Sequence, residues 1–322
     1  MKAAIKRKYG PAEILRVEEL KKPHPKAMEV LVRVHATTVN RTDCAVLSGK
    51  PYVMRLFTGL LSPRKIIPGT DFAGEIVAVG KAVTSFAVGD KVFGFKDDGM
   101  SSQATHMTIS EAGNITTFPD NISFRQAAAS LEGAHYAYNF LKQCTFQKGQ
   151  QVLINGATGA IGSALVQLVK QYQVKVTAVC QNQYSDSLKR LGADRIIDYT
   201  EEDFTKDPQR YDFVFDAVGK STFAKCKPLL KPGGYYISSE LGPGGQNLFL
   251  SLTTSWKRDK KVIFPFPTDI KGSMQYMKAL LAKGVFTPLL DKDYPLNEIA
   301  TAYHYVCSGK KIGNVTLYME AD

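Results

Sequence analysis

Residues 29–36 (EVLVRVHA) alternate apolar and polar side chains, the period of a strand with one buried face. Residues 72–79 (FAGEIVAV) and 91–95 (KVFGF) continue that texture, punctuated by Gly80, Gly89 and Asp90. Short strands between glycine turns predict a small barrel-like β domain in the first third of the chain. The texture changes near Ser123. Residues 124–141 are alanine-rich and helical, and beyond Gln151 apolar strands alternate with helical stretches: VLIN (152–155), KVTAVC (175–180), RIID (195–198), FVFD (213–216) and YYIS (235–238). Alternating strand and helix predicts a parallel, doubly wound sheet. Residues 273–283 and 296–307 read as helices and 313–319 (GNVTLYM) as a last strand. This tail is expected to return to the first domain, because the central sheet is already complete. The 50–65 loop (KPYVMRLFTGLLSPRK) is long and apolar, and reads equally well as a lid over a pocket or as a packed loop.

A chain of 322 residues exceeds the size at which one core stops growing, about 250–300 residues, so two domains are expected. With 44% hydrophobic and 22% charged residues the composition is globular rather than disordered. No uncharged apolar run approaches the roughly 18 residues of a membrane span, and the N-terminal MKAAIKRKYG has no apolar signal segment. The expectation is a cytoplasmic protein with no membrane partner. Five cysteines, at 44, 144, 180, 226 and 307, form no CxxC, which excludes a zinc ribbon and makes them free thiols. The net charge of +11 favours anionic partners. The basic residues, among them Lys6, Arg7, Lys8, Lys257, Arg258, Lys260 and Lys261, accompany no nucleic-acid module. They read as solvated surface groups, with no nucleic-acid partner.

The chemistry is most explicit directly after the strand at 152–155. There NGATGAIGSALVQLVKQY places Gly156, Gly159 and Gly162 at intervals of three, before a helix whose buried face is Ile161, Ala164, Leu165, Leu168, Val169 and Tyr172. A strand turning sharply into a helix brings backbone N–H groups to a pyrophosphate, and a Cβ at Gly159 would block that approach. The backbone at 157–162, with Thr158, Gly159, Ala160 and Ile161, is therefore the expected dinucleotide grip. The second strand ends Cys180, Gln181, Asn182, Gln183, Tyr184, without the acid that bonds a ribose 2′-hydroxyl. A carboxylate would repel a 2′-phosphate, so its absence favours NADPH, with Gln181 and Tyr199 beside that phosphate. A tight structural turn without a ligand is the alternative reading of the glycines.

An ordered series of motifs spans nearly the whole chain: VNRTD (39–43), IPGTDFAGEIVAVG (67–80), FAVGDKVFG (86–94), INGATGAIG (154–162), LGADRIIDY (191–199), FDAVG (215–219) and KPGG (231–234). In these the sequence resembles the zinc-independent quinone oxidoreductases of the medium-chain dehydrogenase/reductase superfamily. The resemblance implies an α/β protein with a GroES-like β-barrel catalytic domain, 1–123 completed by 267–322, and a doubly wound Rossmann NADP-binding domain, 124–266. It also implies a homodimer in many members and NADPH-dependent reduction of quinones or activated C=C bonds. Zinc-dependent relatives carry Cys where Asn40 stands and His where Thr70 stands, and neither an amide nor a hydroxyl is a normal zinc ligand. No metal is expected. Without a Lewis acid for an alkoxide, alcohol oxidation is disfavoured and reduction of a conjugated carbonyl remains feasible.

By the same resemblance, Val218, Leu241 and Phe266 meet the nicotinamide end. Asn40 either bonds the substrate carbonyl or nicotinamide ribose, or caps a turn. Asp43 is expected to bond backbone amides. His135 either contacts the cofactor and supplies a proton, or is a satisfied helix histidine. The family's pocket tyrosine is replaced by Ala45, and Tyr52 stands in for it. The function expected is hydride transfer from NADPH to a quinone or related conjugated carbonyl. One rival is reduction of an alkenal, enone or enoyl thioester. A rival of another class is an NADPH-binding structural or partner-binding protein without turnover.

Overall fold

The computed structural model describes residues 1–52, 54–256 and 259–320. Val53 of the 50–65 loop and the basic Lys257 and Arg258 lie outside the described residues. The chain forms two compact units, Met1–Glu132 with Asp269–Asp322, and Gly133–Thr268. The boundaries therefore fall at 132/133 and 268/269 rather than at 123/124 and 266/267. The reason is the helix Phe124–Ala129: Phe124 stacks on His35 at 4.1 Å and meets Phe118 edge-on at 5.5 Å, which fastens the helix to the barrel unit. The helical run predicted over 124–141 is broken after Ala129. Ser130 turns its hydroxyl back onto the Gln126 carbonyl (2.6 Å), and a second helix starts at Glu132.

In the first unit seven strands form one sheet, in the order Leu290–Pro295, Asn314–Tyr318, Glu29–Val39, Asp71–Val79, Lys91–Phe95 and Ile115–Thr117, with His106–Ser110 also on Glu29–Val39. The long strand Glu29–Val39 serves His106–Ser110 with its first half and Asn314–Tyr318 with its end, while its other edge pairs with Asp71–Val79. The sheet encloses Val30, Val32, Val34, Phe72, Ile76, Val92, Met107 and Ile115, the inward side of the alternation. The chain's last strand pairs antiparallel with residues 36–39, so the tail does complete the first unit.

The second unit is a six-stranded, all-parallel sheet: Arg195–Asp198, Lys175–Cys180, Gln151–Asn155, Tyr211–Asp216, Leu230–Ser238 and Lys261–Ile263. Chain order reverses between Gln151–Asn155 and Tyr211–Asp216, and ligands of doubly wound sheets gather beyond the strand ends at such a point. No helix among the described residues is long and apolar enough to cross a membrane.

Candidate functional site

The glycine turn lies at that switch point. Gly156 has φ +77°, and a Cβ there would stand 2.7 Å from the Val218 Cβ, so only glycine lets the strand end pass the 217–219 loop. Gly162 is equally constrained, because its Cβ would fall 2.2 Å from the Gly156 carbonyl oxygen. Gly159 differs. It caps the helix Ala160–Lys170 with ordinary extended backbone, and a Cβ there would meet nothing closer than the Gly156 oxygen at 3.4 Å. No protein atom requires glycine at 159, so the space it leaves is available to a ligand. No side chain caps the helix, whose backbone ladder starts with the Ser163 N–H donating to the Gly159 carbonyl (2.8 Å). The N–H groups of Ala160, Ile161 and Gly162 precede that ladder, and the dipole adds positive potential there. The cradle fits a pyrophosphate. The sequence reading did not single out Gly133, where a Cβ would stand 2.7 Å from the Ala160 Cβ; it lets the helix Glu132–Leu141 pass close to the turn.

The other expected nucleotide residues follow strand ends of the same sheet. Gln181 succeeds Lys175–Cys180 and accepts a bond from the Gln183 amide (2.9 Å). Tyr199 succeeds the neighbouring strand, with an exposed side chain and its N–H on the Cys180 carbonyl (3.3 Å). Val218, Leu241 and Phe266 follow Tyr211–Asp216, Leu230–Ser238 and Lys261–Ile263 in turn, and Leu241 and Phe266 are exposed. Two acids escaped the sequence reading. Asp198 accepts from the Thr200 hydroxyl (2.7 Å), the Thr200 N–H (2.9 Å) and the Asn182 N–H (2.8 Å), bonds that hold its carboxyl below the usual range. Asp216 is fully buried and accepts from Asn155 (3.0 Å), the Val218 and Gly219 N–H groups (3.3 and 3.0 Å) and the Tyr236 hydroxyl (2.9 Å). Burial pushes its pKa up against those bonds. A lone acid closing an apolar strand, as in FVFD, is the signal that marks it.

His135 is buried in the helix Glu132–Leu141, where the Asn139 amide lies 3.4 Å from its Nε2 and bonds its carbonyl at 2.9 Å.

In the first unit, Asn40 is the N-cap of Arg41–Ser48. Its Oδ1 accepts from the Asp43 N–H (2.8 Å), and Asp43 accepts from the Asn40 N–H (3.1 Å). The capping bond fixes the amide's orientation, so Nδ2 donates to the Thr70 hydroxyl (2.8 Å) and more weakly to Thr38 (3.3 Å). Asn40 thus caps the turn, and its buried amide bonds Thr70 and Thr38. Asn40 and Thr70, the two positions where the resemblance would place zinc ligands, are thus hydrogen-bonded to each other. Beside them Asp71 is buried and accepts from the Thr38 N–H (2.7 Å), the Thr38 hydroxyl and the Thr37 hydroxyl (3.2 Å). Burial pushes the Asp71 pKa up to about 7, and burial with the nearby Asp71 raises Asp43 well above the carboxylate range. Lys6, buried with its ammonium on the Val46 carbonyl (3.2 Å), is lowered to about 8 by desolvation. Among the described residues no group of three or more His, Cys, Asp or Glu side chains is arranged to hold a metal ion.

Tyr52 is exposed, while Arg55, Thr58 and Lys65 of the 50–65 loop are each bonded or stacked to other parts of the first unit. The Arg55 guanidinium lies 4.6 Å from the Tyr9 ring and 5.0 Å from the Tyr52 ring, and the Tyr9 hydroxyl pairs with Thr58 (2.8 Å).

Comparison with known proteins agrees with both units. Residues 26–120 match the alcohol dehydrogenase GroES-like domain, and residues 191–317 match the zinc-binding dehydrogenase family. An NADPH-dependent alkenal/one oxidoreductase, chloroplastic, of Arabidopsis thaliana is 29% identical, over 99% of this chain and 79% of its own. A zinc-type alcohol dehydrogenase-like protein of Schizosaccharomyces pombe is 30% identical, over 70% of this chain and 68% of its own. The structure of the quinone oxidoreductase from Coxiella burnetii superposes with a TM-score of 0.84 at 25% identity, covering 99% of each chain.

Proposed function

The chain belongs to the quinone-oxidoreductase-like family of the medium-chain dehydrogenases/reductases, and from that premise we propose that it is an NADPH-dependent reductase of quinones or enones that uses no zinc. The observation that carries the proposal is the space at Gly159 in front of the N–H groups of Ala160, Ile161 and Gly162, which precede the helix's backbone ladder. The N–H groups of Ala160, Ile161 and Gly162 hold the pyrophosphate, with Thr158 beside them. Gln181 and Tyr199 receive the 2′-phosphate end of the adenosine. Val218, Leu241 and Phe266 give the nicotinamide an apolar wall that orients it and keeps water out. When bound, the reduced nicotinamide supplies the hydride.

On the substrate side, a conjugated carbonyl needs a hydrogen-bond donor for the oxygen that gains charge. The Asn40 amide is already spent on Thr70 and Thr38, so the exposed Tyr52 phenol is the proposed anchor. The zinc-free reading is supported by Asn40 and Thr70 themselves, neutral groups bonded to one another. The names of the Arabidopsis and Coxiella relatives support alkenals, enones and quinones as the acceptor class.

The reading is tested by calorimetric titration with NADPH and NADH, followed by turnover with 9,10-phenanthrenequinone and a small enone and by elemental analysis for zinc. NADPH is expected to bind tighter than NADH and to be consumed with at least one acceptor. No heat with either coenzyme, or stoichiometric zinc in the active protein, overturns it.

A further inference from the structure

We propose that Cys44 and Cys307 form a reversible redox pair, whose disulfide locks together the two chain segments that build the first unit. The inference goes beyond the reductase reading and does not depend on it.

These cysteines are far apart in sequence, and the fold brings them together. Cys44 lies in the helix Arg41–Ser48, and Cys307 ends the helix Ile299–Cys307. The two helices pack against each other, and Cys44, Leu47, Tyr303 and Val306 share one apolar cluster. There the Cys307 thiol lies within hydrogen-bonding reach of the Cys44 thiol. Tyr303, buried one turn before Cys307, feels the charge of both. Thiols already in contact on packed helices are close to the approach that a disulfide needs.

Their environments differ in the way such a pair requires. Cys307 is exposed, so an oxidant in solution reaches it first. Cys44 is half-buried; burial and the neighbouring Cys307 push its pKa up, and the Lys311 ammonium partly offsets them. Cys44 therefore stays a protonated thiol while the pair is reduced, and it is placed to resolve an oxidised Cys307. The other three cysteines lie in the second unit. Cys180 and Cys226 are buried, and the Cys144 thiol donates to the Phe140 carbonyl (3.4 Å). Burial pushes the pKa of all three up, which keeps them as unreactive thiols.

The oxidant is of the hydroperoxide class. The Cys307 sulfur attacks one oxygen of hydrogen peroxide, the O–O bond breaks, and the thiol becomes a sulfenic acid with release of water. The Cys44 sulfur then attacks the Cys307 sulfur. An S–S bond forms, the S–O bond breaks, and the departing hydroxide takes the Cys44 proton as a second water. Two thiols are oxidised to one disulfide, and one peroxide is reduced to two waters. A dithiol reductant reverses the step by thiol–disulfide exchange and is itself oxidised to a disulfide.

The consequence follows from the chain order of the first unit. It is built from Met1–Glu132 and Asp269–Asp322, with Gly133–Thr268 inserted between them. Cys44 is in the first segment and Cys307 in the second, so the bridge closes a covalent loop that contains the whole insertion. Constraining so long a loop removes entropy from the unfolded chain, which stabilises the folded unit.

The test uses the full chain and hydrogen peroxide. The protein is oxidised, its remaining thiols are alkylated, and its peptides are mapped by mass spectrometry without reduction. A crosslinked pair of the peptides carrying Cys44 and Cys307 is expected. Thiols titrated in denaturant should fall from five to three and return to five with dithiothreitol. The urea midpoint should rise on oxidation and fall back on reduction. Cys307→Ser and Cys44→Ser should each lose both the crosslink and the rise. Cys307 is exposed, so its variant keeps the comparison valid if Cys44→Ser fails to fold. A Cys44 thiol still alkylated after oxidation, with Cys307 carried on to sulfinic acid, overturns the proposal. So does a bridge between the Cys307 residues of two copies, or a bridged protein whose midpoint has not moved.

Discussion

At the scale of single residues, the three glycines of one motif do three different jobs, and substitution separates them. Gly159 faces open space in its own fold, so Gly159→Val should leave the melting temperature close to unchanged and abolish NADPH binding in calorimetry. A Cβ on Gly162 would fall 2.2 Å from the Gly156 carbonyl oxygen, so Gly162→Ala should destabilise by about 1–3 kcal/mol, visible as a lower urea midpoint. If Gly159→Val binds NADPH normally, the phosphate cradle is elsewhere. Tyr52→Phe removes one hydroxyl from an exposed ring; it should lower kcat/KM about tenfold or more with NADPH affinity unchanged, and equal kinetics would remove Tyr52 from the site. The sequence made the glycine spacing legible, because backbone conformation restricts residue choice so strongly. It left Asn40 open, because the direction of an amide depends on partners far along the chain. Thr70 is 30 residues away from Asn40, and its hydroxyl is what claims the Asn40 Nδ2.

At the scale of elements, the long strands and the glycine-turn helix were readable because periodicity and length agreed. Several short strands were not, His106–Ser110 and Ile115–Thr117 among them, and two others show why. Lys261–Ile263 has three residues, and Leu290–Pro295 (LDKDYP) is half charged, so neither carries a period. Both are edge strands, recruited by a sheet already formed. The break between the two helices at Ser130 depends on a hydroxyl bonding back to its own helix, which composition does not reveal. Buried acids then tie elements together. Asp216 joins the ends of three adjacent strands, and Asp71 joins the start of its strand to Thr37 and Thr38 of the next. Asp71 also makes stability pH-dependent in a definite direction. Its folded pKa of about 7 lies above the ordinary 3.8, so between these values the folded chain holds a proton that the unfolded chain has released. This contribution is fully present below about pH 4 and lost as pH rises through 7. Asp71→Asn cannot titrate, so its urea stability should vary less than the parent's between pH 4 and 7. Parallel pH profiles for the two proteins would show that folding does not raise the Asp71 pKa.

At the scale of the whole molecule, the net charge of +11 acts on any anion that approaches, before a single contact forms. NADPH and NADH share the pyrophosphate and the nicotinamide, so the glycine turn sees them as equals. They differ by the 2′-phosphate, which adds roughly 1.5 to 2 negative charges near neutral pH, as a phosphoryl group does on a side chain. A field that steers by charge must therefore steer NADPH more strongly. Salt weakens that field over a Debye length of about 8–10 Å near physiological ionic strength, while contacts inside the cradle are screened much less. The association rate of NADPH, measured by stopped-flow quenching, should thus fall more steeply with salt than that of NADH, with dissociation rates changing less for both. No residue from Gln181 to Tyr184 is itself an acid, but the Asp198 carboxylate sits on the Asn182 N–H (2.8 Å), so the steering must come from the protein's overall charge. Equal salt slopes for the two coenzymes would mean that the basic residues act on other anions and that NADPH preference arises from contacts alone.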